Sequence, residues 1–139
     1  MKKVIFIIIT LLLITLGSLL LTACTSAQPE IKLETDQIDL GEIAAGEVIE
    51  RDVRLTNEGE GPLEILSVST SCGCTTASLD ATTLLPGESA LLMIRYDSSA
   101  HDIDADGSVH RQIFIATNDP NQPEVVINLT ADVSDASEN

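Results

Sequence analysis

The chain has 139 residues and a formal charge of −15, from 7 basic and 22 acidic side chains, with two Phe, one Tyr and no Trp. Lys2 and Lys3 open the chain, so five basic groups face all 22 acidic ones after residue 23, a side-chain balance of −17. That charge excludes a nucleic-acid or anionic-lipid surface. The shortage of aromatic faces excludes a sugar- or base-stacking platform, and the length suits one small domain behind an export segment.

Residues 1–23 begin with two lysines and continue as an apolar run over 4–16, the charged and apolar regions of a signal peptide. The run to Leu21 is long enough to span a bilayer, so an uncleaved anchor is the competing reading. Leu21-Thr22-Ala23-Cys24 resembles the lipobox of bacterial lipoproteins. The resemblance implies a lipid on the Cys24 thiol, cleavage after Ala23, and an extracytoplasmic domain anchored to the cell membrane or outer membrane. Thr25, where inner-membrane lipoproteins often carry Asp, leans towards the outer membrane in a cell that has two. Residues 24–30 form the lipidated cysteine and a short polar tether reaching at most roughly 20 Å, which holds the domain close to the bilayer.

Residues 31–34 alternate and read as a first strand, and 38–43 continue this edge region up to Gly46. Residues 48–57 form the next strand, with Val53 and Leu55 on one face and Asp52, Arg54 and Thr56 on the other. A breaker-rich turn over 57–62 leads to a strand at 63–69, whose alternation slips between Ile65 and Leu66 and predicts a bulge or a doubly buried strand. Cys72-Gly73-Cys74 ends it in a tight bend. A β-branched run at 75–79 and the Leu85-Pro86-Gly87-Glu88 turn follow. Residues 90–96 place Leu92, Ile94 and Tyr96 on one side. Beyond an acidic loop, 109–117 sends Ile113 and Ile115 inward, and 124–133 carries a period-two stripe of Val125, Ile127, Leu129, Ala131 and Val133. No helix is predicted after the leader. The expectation is all-β: an immunoglobulin-like antiparallel β-sandwich of about seven strands over 31–134, with a disordered tail at 135–139.

The blocks TNEGEGPLEI, SCGCTT, LPGES and ATNDPNQPEVVINL, in that order, resemble the bacterial domain-of-unknown-function 1573 family across roughly residues 40–133. The resemblance implies an immunoglobulin-type sandwich in an extracytoplasmic setting and no established activity. The loop at 97–107 departs from the family pattern in its length and acidity.

Cys72 and Cys74 lie two apart, so on extended chain both thiols face the same side. Three readings stand open. A local disulfide closes a small, strained and readily reduced ring, made accessible by the bend at Gly73. Two thiolates suit a soft metal such as copper(I), with His101, His110 and Met93 the other candidate ligands. In the third reading the pair is structural, at a strand crossover. Asp102, Asp104, Asp106 and Gly107 match the start of a calcium loop, but Ile113 stands where the bidentate Glu belongs, which excludes a complete EF-hand. A looser calcium site competes with a solvated acidic loop. No cofactor is expected apart from the covalent lipid. The preferred expectation is a non-catalytic binding or assembly module of the cell envelope, held to the membrane by its lipid, with a protein partner and no nucleic acid. The alternative is a redox or copper-handling lipoprotein working through Cys72 and Cys74.

Overall fold

The computed structural model describes residues 3–5, 27–99 and 107–134. The rest of the leader, Cys24, the carboxylates Asp102, Asp104 and Asp106, and the tail at 135–139 lie outside the described residues. Among the described residues no helix is long and apolar enough to cross a membrane.

Nine strands follow one another: β1 (Ile31–Leu33), β2 (Gln37–Ala44), β3 (Val48–Asn57), β4 (Leu63–Thr70), β5 (Thr75–Leu79), β6 (Thr83–Leu84), β7 (Ser89–Asp97), β8 (Ser108–Thr117) and β9 (Glu124–Ser134). They build two sheets, ordered β1-β3-β7-β5 and β2-β9-β8-β4-β6. The all-β sandwich expected from alternation is present, with nine strands where about seven were expected. The two-residue β6 is too short to show a period. β1 and β2, which read as one edge region, part into different sheets. One pairing departs from the antiparallel expectation, because β2 runs parallel to β9. Alternation decides which face is buried; it says nothing about the direction of a neighbour that no hairpin connects.

The core lies where the inward faces meet. Val53, Leu55, Leu92, Ile94 and Tyr96 from one sheet pack on Ile113, Ile115, Ile127 and Leu129 from the other, all at most 2 % exposed. The slip at Ile65 is a bulge: the register against β8 shifts between Ile65 and Ser67 and turns Leu66 out to 62 % exposure. At Leu85-Pro86-Gly87-Glu88 the chain reverses with Gly87 at φ +80 and Glu88 N donating to Leu85 O at 2.9 Å. Proline then glycine at the two central positions is the pattern that a type II turn requires.

The two ends of the sandwich differ. At one end, buried Asn57 donates through Nδ2 to Gly61 O (2.8 Å) and Leu84 O (2.9 Å), and its Oδ1 accepts from Gly59 N (3.0 Å). Buried Asp119 accepts from Ile31 N at 2.9 Å and from Asn121 N at 2.8 Å. Residues 27–30, which read as tether, lie across this end. Glu58 N donates to Glu30 O, and Glu60 N and Gly61 N to Gln28 O, at 2.8, 2.9 and 3.0 Å. The close approach requires glycine: a Cβ at Gly59 would sit 2.4 Å from Gln28 O, and one at Gly61 2.4 Å from Ala27 O. The opposite end carries the 45–47 turn, the 71–74 crossover and the start of the acidic loop. β3 spans the two ends, about 30 Å at the usual strand rise.

Candidate functional site

β4 leaves one sheet at Thr70 and β5 enters the other at Thr75, so residues 71–74 cross between the sheets. Both layers hold the crossover. Ser71 N donates to Gln112 O at 2.9 Å and Ser71 Oγ accepts from Gln112 N at 3.0 Å, which fixes it to β8. Asp97 N donates to Cys74 O at 2.9 Å, which fixes it to β7. Thr70 Oγ1 closes the bend from inside, 3.0 Å from Cys72 O and 2.9 Å from Thr75 O. Within this frame Cys72 and Cys74 are disulfide-bonded, their Cα atoms 5.3 Å apart and inside the normal bridging range.

The two sulfurs have unequal surroundings. Cys74 is 6 % exposed and belongs to the core, whereas Cys72 is half-buried. Gly73 between them is exposed, with no described residue within 4 Å of the place a Cβ would take. Arg111 Nε donates to Cys74 Sγ at 3.2 Å. Thr75 Oγ1 lies 3.5 Å from Cys72 Sγ and 3.8 Å from Cys74 Sγ. Arg111 occupies a core-side position of β8, between Val109 and Ile113, and reaches across the gap to the other sheet. Tyr96, buried and in register with Thr75, completes the cluster. Burial pushes its phenol above the usual range, the Arg111 charge pulls it back, and the Asp97 charge adds to the rise. Asp97 itself is held below the usual carboxylate range, first by the Ser99 hydroxyl and then by the Ser99 backbone N–H. Burial opposes these two, and the charge of exposed Arg95 adds the smallest lowering effect.

The other candidate ligands do not converge here. Met93 is 48 % exposed, opposite Asp52 and Ser78, and His110 is exposed opposite Thr130 in the other sheet. Among the described residues no group of three or more His, Cys, Asp or Glu side chains could hold a metal ion. Cys24, His101, Asp102, Asp104 and Asp106 lie outside the described residues. Reading for thiols and carboxylates misses Arg111 and Thr75. The signal for Arg111 was present, since extending the inward alternation of Ile115 and Ile113 lands on it.

The sheet edges differ as well. On β2, Gln37 N donates to Thr35 Oγ1 at 3.1 Å, Gly41 N to Asp39 Oδ1 at 2.9 Å, and Ala44 N to Glu47 Oε2 at 3.2 Å. On β1, Asp119 takes Ile31 N and Gln122 Nε2 takes Ile31 O at 3.1 Å. Among the described residues, none gives β5 such cover at its centre. Asp97 N to Cys74 O and Asp80 N to Leu91 O bracket its ladder with β7. Cys74, Thr76, Ser78 and Asp80 therefore bond inward to β7, and Ala77 and Leu79 turn their backbone groups to the open edge. Beside that edge a shallow groove of about 350 Å³ runs over Thr76, Ser78, Met93 and Arg95 towards Glu50 and Asp52.

Residues 31–133 match the family described as Protein of unknown function (DUF1573). Among curated proteins, none matches this sequence. In a protein of unknown function from Porphyromonas gingivalis W83, the similar region is 32 % identical with a TM-score of 0.70. It covers 81 % of this chain and 51 % of that one, so the chain spans about half the length of that protein. The ASH / PapD-like domain 7 of human CEP192 is similar at 11 % identity and TM-score 0.63, over 84 % of this chain and 93 % of that one. The YadV chaperone is similar at 16 % identity and TM-score 0.55, over 78 % and 54 %. The last two show the fold alone.

Proposed function

The chain belongs to the DUF1573 family, a domain of unknown function on a PapD-like fold, and from that premise we propose that it is a lipid-anchored, extracytoplasmic module that binds another envelope protein by strand addition and performs no catalysis. The observation that carries this reading is the uncovered edge of β5. Strand edges that lack a neighbour are templates for pairing, and proteins ordinarily blunt them. Here side chains blunt β1 and β2, while Ala77 and Leu79 offer backbone groups that no other described residue pairs. An extended partner segment takes such an edge through main-chain hydrogen bonds and reads alternate side chains for specificity. The side-chain balance of −17 favours a cationic partner over a second copy, which it repels.

Cys24 and its lipid supply the address in this reading. Residues 27–30, which follow Cys24 closely, lie across the end holding Asn57 and Asp119, so in this reading that end faces the membrane and the Cys72–Cys74 crossover faces away. The test is crosslinking in cells. A photoreactive residue at Ser78 is expected to join the protein to one envelope protein. Ala77→Pro is expected to abolish that adduct without unfolding the domain, because its N–H points away from β7 and an edge strand tolerates proline there. An adduct from Asp39 on β2, with none from Ser78, overturns the edge assignment. Retention of a Cys24→Ser variant in membranes overturns the anchor.

A further inference from the structure

We propose that the Cys72–Cys74 bridge is a polarised thiol-exchange site, at which an incoming protein thiolate bonds to Cys72 and Cys74 departs as a thiolate held by Arg111. The inference goes beyond strand binding and stands on separate observations. They are the unequal burial of the two sulfurs, the guanidinium placed on one of them, and the exposure of Gly73.

A thiolate attacking a disulfide has two sulfurs to choose between, and access and leaving-group acidity decide. Both criteria select the same outcome here. Cys72 is the half-buried sulfur beside an exposed glycine with no described residue within 4 Å of the place its Cβ would take, while Cys74 is buried at 6 % exposure. Attack at Cys72 therefore meets less obstruction. The departing charge then falls on Cys74 Sγ, where Arg111 Nε already donates at 3.2 Å and the Thr75 hydroxyl lies at 3.8 Å. A cation beside a thiol lowers its pKa and improves it as a leaving group. Burial alone would disfavour that charge, so Arg111 on the core side of β8 is the group that makes the buried sulfur the better leaving group.

The step balances without a further reagent. The partner's sulfur forms a bond to Cys72 Sγ, the Cys72–Cys74 bond breaks, and its electron pair goes to Cys74 Sγ. Return attack by Cys74 on Cys72 expels the partner's thiolate and restores the bridge. The ligand class is a protein bearing an accessible thiol. The site stands at the end of the sandwich remote from residues 27–30 and next to the start of β5, so a partner paired along β5 has a cysteine-reactive stop at the end of its strand.

The test uses the oxidised full-length chain carrying Cys24→Ser, so that no third sulfur competes, with glutathione as the probe. After seconds of exchange, acid quenching, alkylation and peptide mapping, glutathione is expected on Cys72 and the alkyl label on Cys74, by about tenfold over the reverse. Arg111→Gln is expected to slow formation of the mixed disulfide by about 3- to 10-fold, with Arg111→Lys restoring part of the rate. Glutathione divided evenly, or found chiefly on Cys74, overturns the proposal, as does an unchanged rate in folded Arg111→Gln. The distribution in the chain with Arg111 intact decides the question even where the Arg111 variants fail to fold.

Discussion

At the scale of single residues, polar groups set inside the sandwich account for most of what is distinctive. Asn57 and Asp119 are buried at 0 and 1 % exposure and spend their hydrogen bonds on the backbone of turns and of the ends of β1 and β6. They lie within the TNEGEG and TNDPN blocks, which gives those blocks a physical meaning: each closes one turn at the same end. Tyr96 is the case with a pH consequence. Its folded pKa lies above 10.0, so the folded state holds its proton more tightly than the unfolded chain does. The associated stability is complete below the unfolded value and is lost as pH rises through the folded one. Urea melts across pH 8 to 11 are therefore expected to show stability falling above about pH 10, and Tyr96→Phe to flatten that fall. An equally steep fall in the variant would place the cause elsewhere.

Among the elements, the N-terminal segment and the 71–74 crossover make opposite demands on glycine. Residues 27–30 press on the 58–61 turn so closely that a Cβ at Gly59 would meet Gln28 O and Glu30 N, each at 2.4 Å. Gly73 has neither a positive φ nor, among the described residues, a neighbour within 4 Å of its missing Cβ. Gly59→Ala is thus expected to destabilise the fold by about 1–3 kcal/mol and to expose the Glu58, Glu60 and Gly61 amides to hydrogen exchange. Gly73→Ala is expected to stay within about 0.5 kcal/mol of the parent. Thermal melts and amide exchange on the pair check both; a large loss from Gly73→Ala would show that the bend itself needs glycine.

Over the whole molecule, charge dominates. The balance of −17 on a small domain is self-repulsion that works against compactness. Among the described residues the ion pair is Arg95–Asp97 at 3.9 Å, with side chains 48 and 33 % exposed, so screening has little attraction to remove. Raising salt from about 10 to about 150 mM shortens the screening length from roughly 30 to 8 Å. The melting temperature is expected to rise by about 2–5 °C; a fall would show that attractive pairs outweigh the repulsion. The same field opposes pairing of two copies along β5 and assists approach of a basic partner.

The sequence by itself determined the faces. Period-two stripes on β3, β7, β8 and β9 assigned Val53, Leu92, Ile113 and Ile127 to the core, and the slip at Ile65 located the bulge, because burial of alternate side chains is a local property of extended chain. Strand neighbours, β2 alongside β9 in parallel, and the bare edge of β5 were decided only by the tertiary structure, since they depend on contacts between segments distant along the chain. The unequal disulfide belongs there too. Cys72 and Cys74 look equivalent in a Cys-Gly-Cys triplet; they differ only when the sandwich closes, burying one sulfur and bringing Arg111 across from the other sheet.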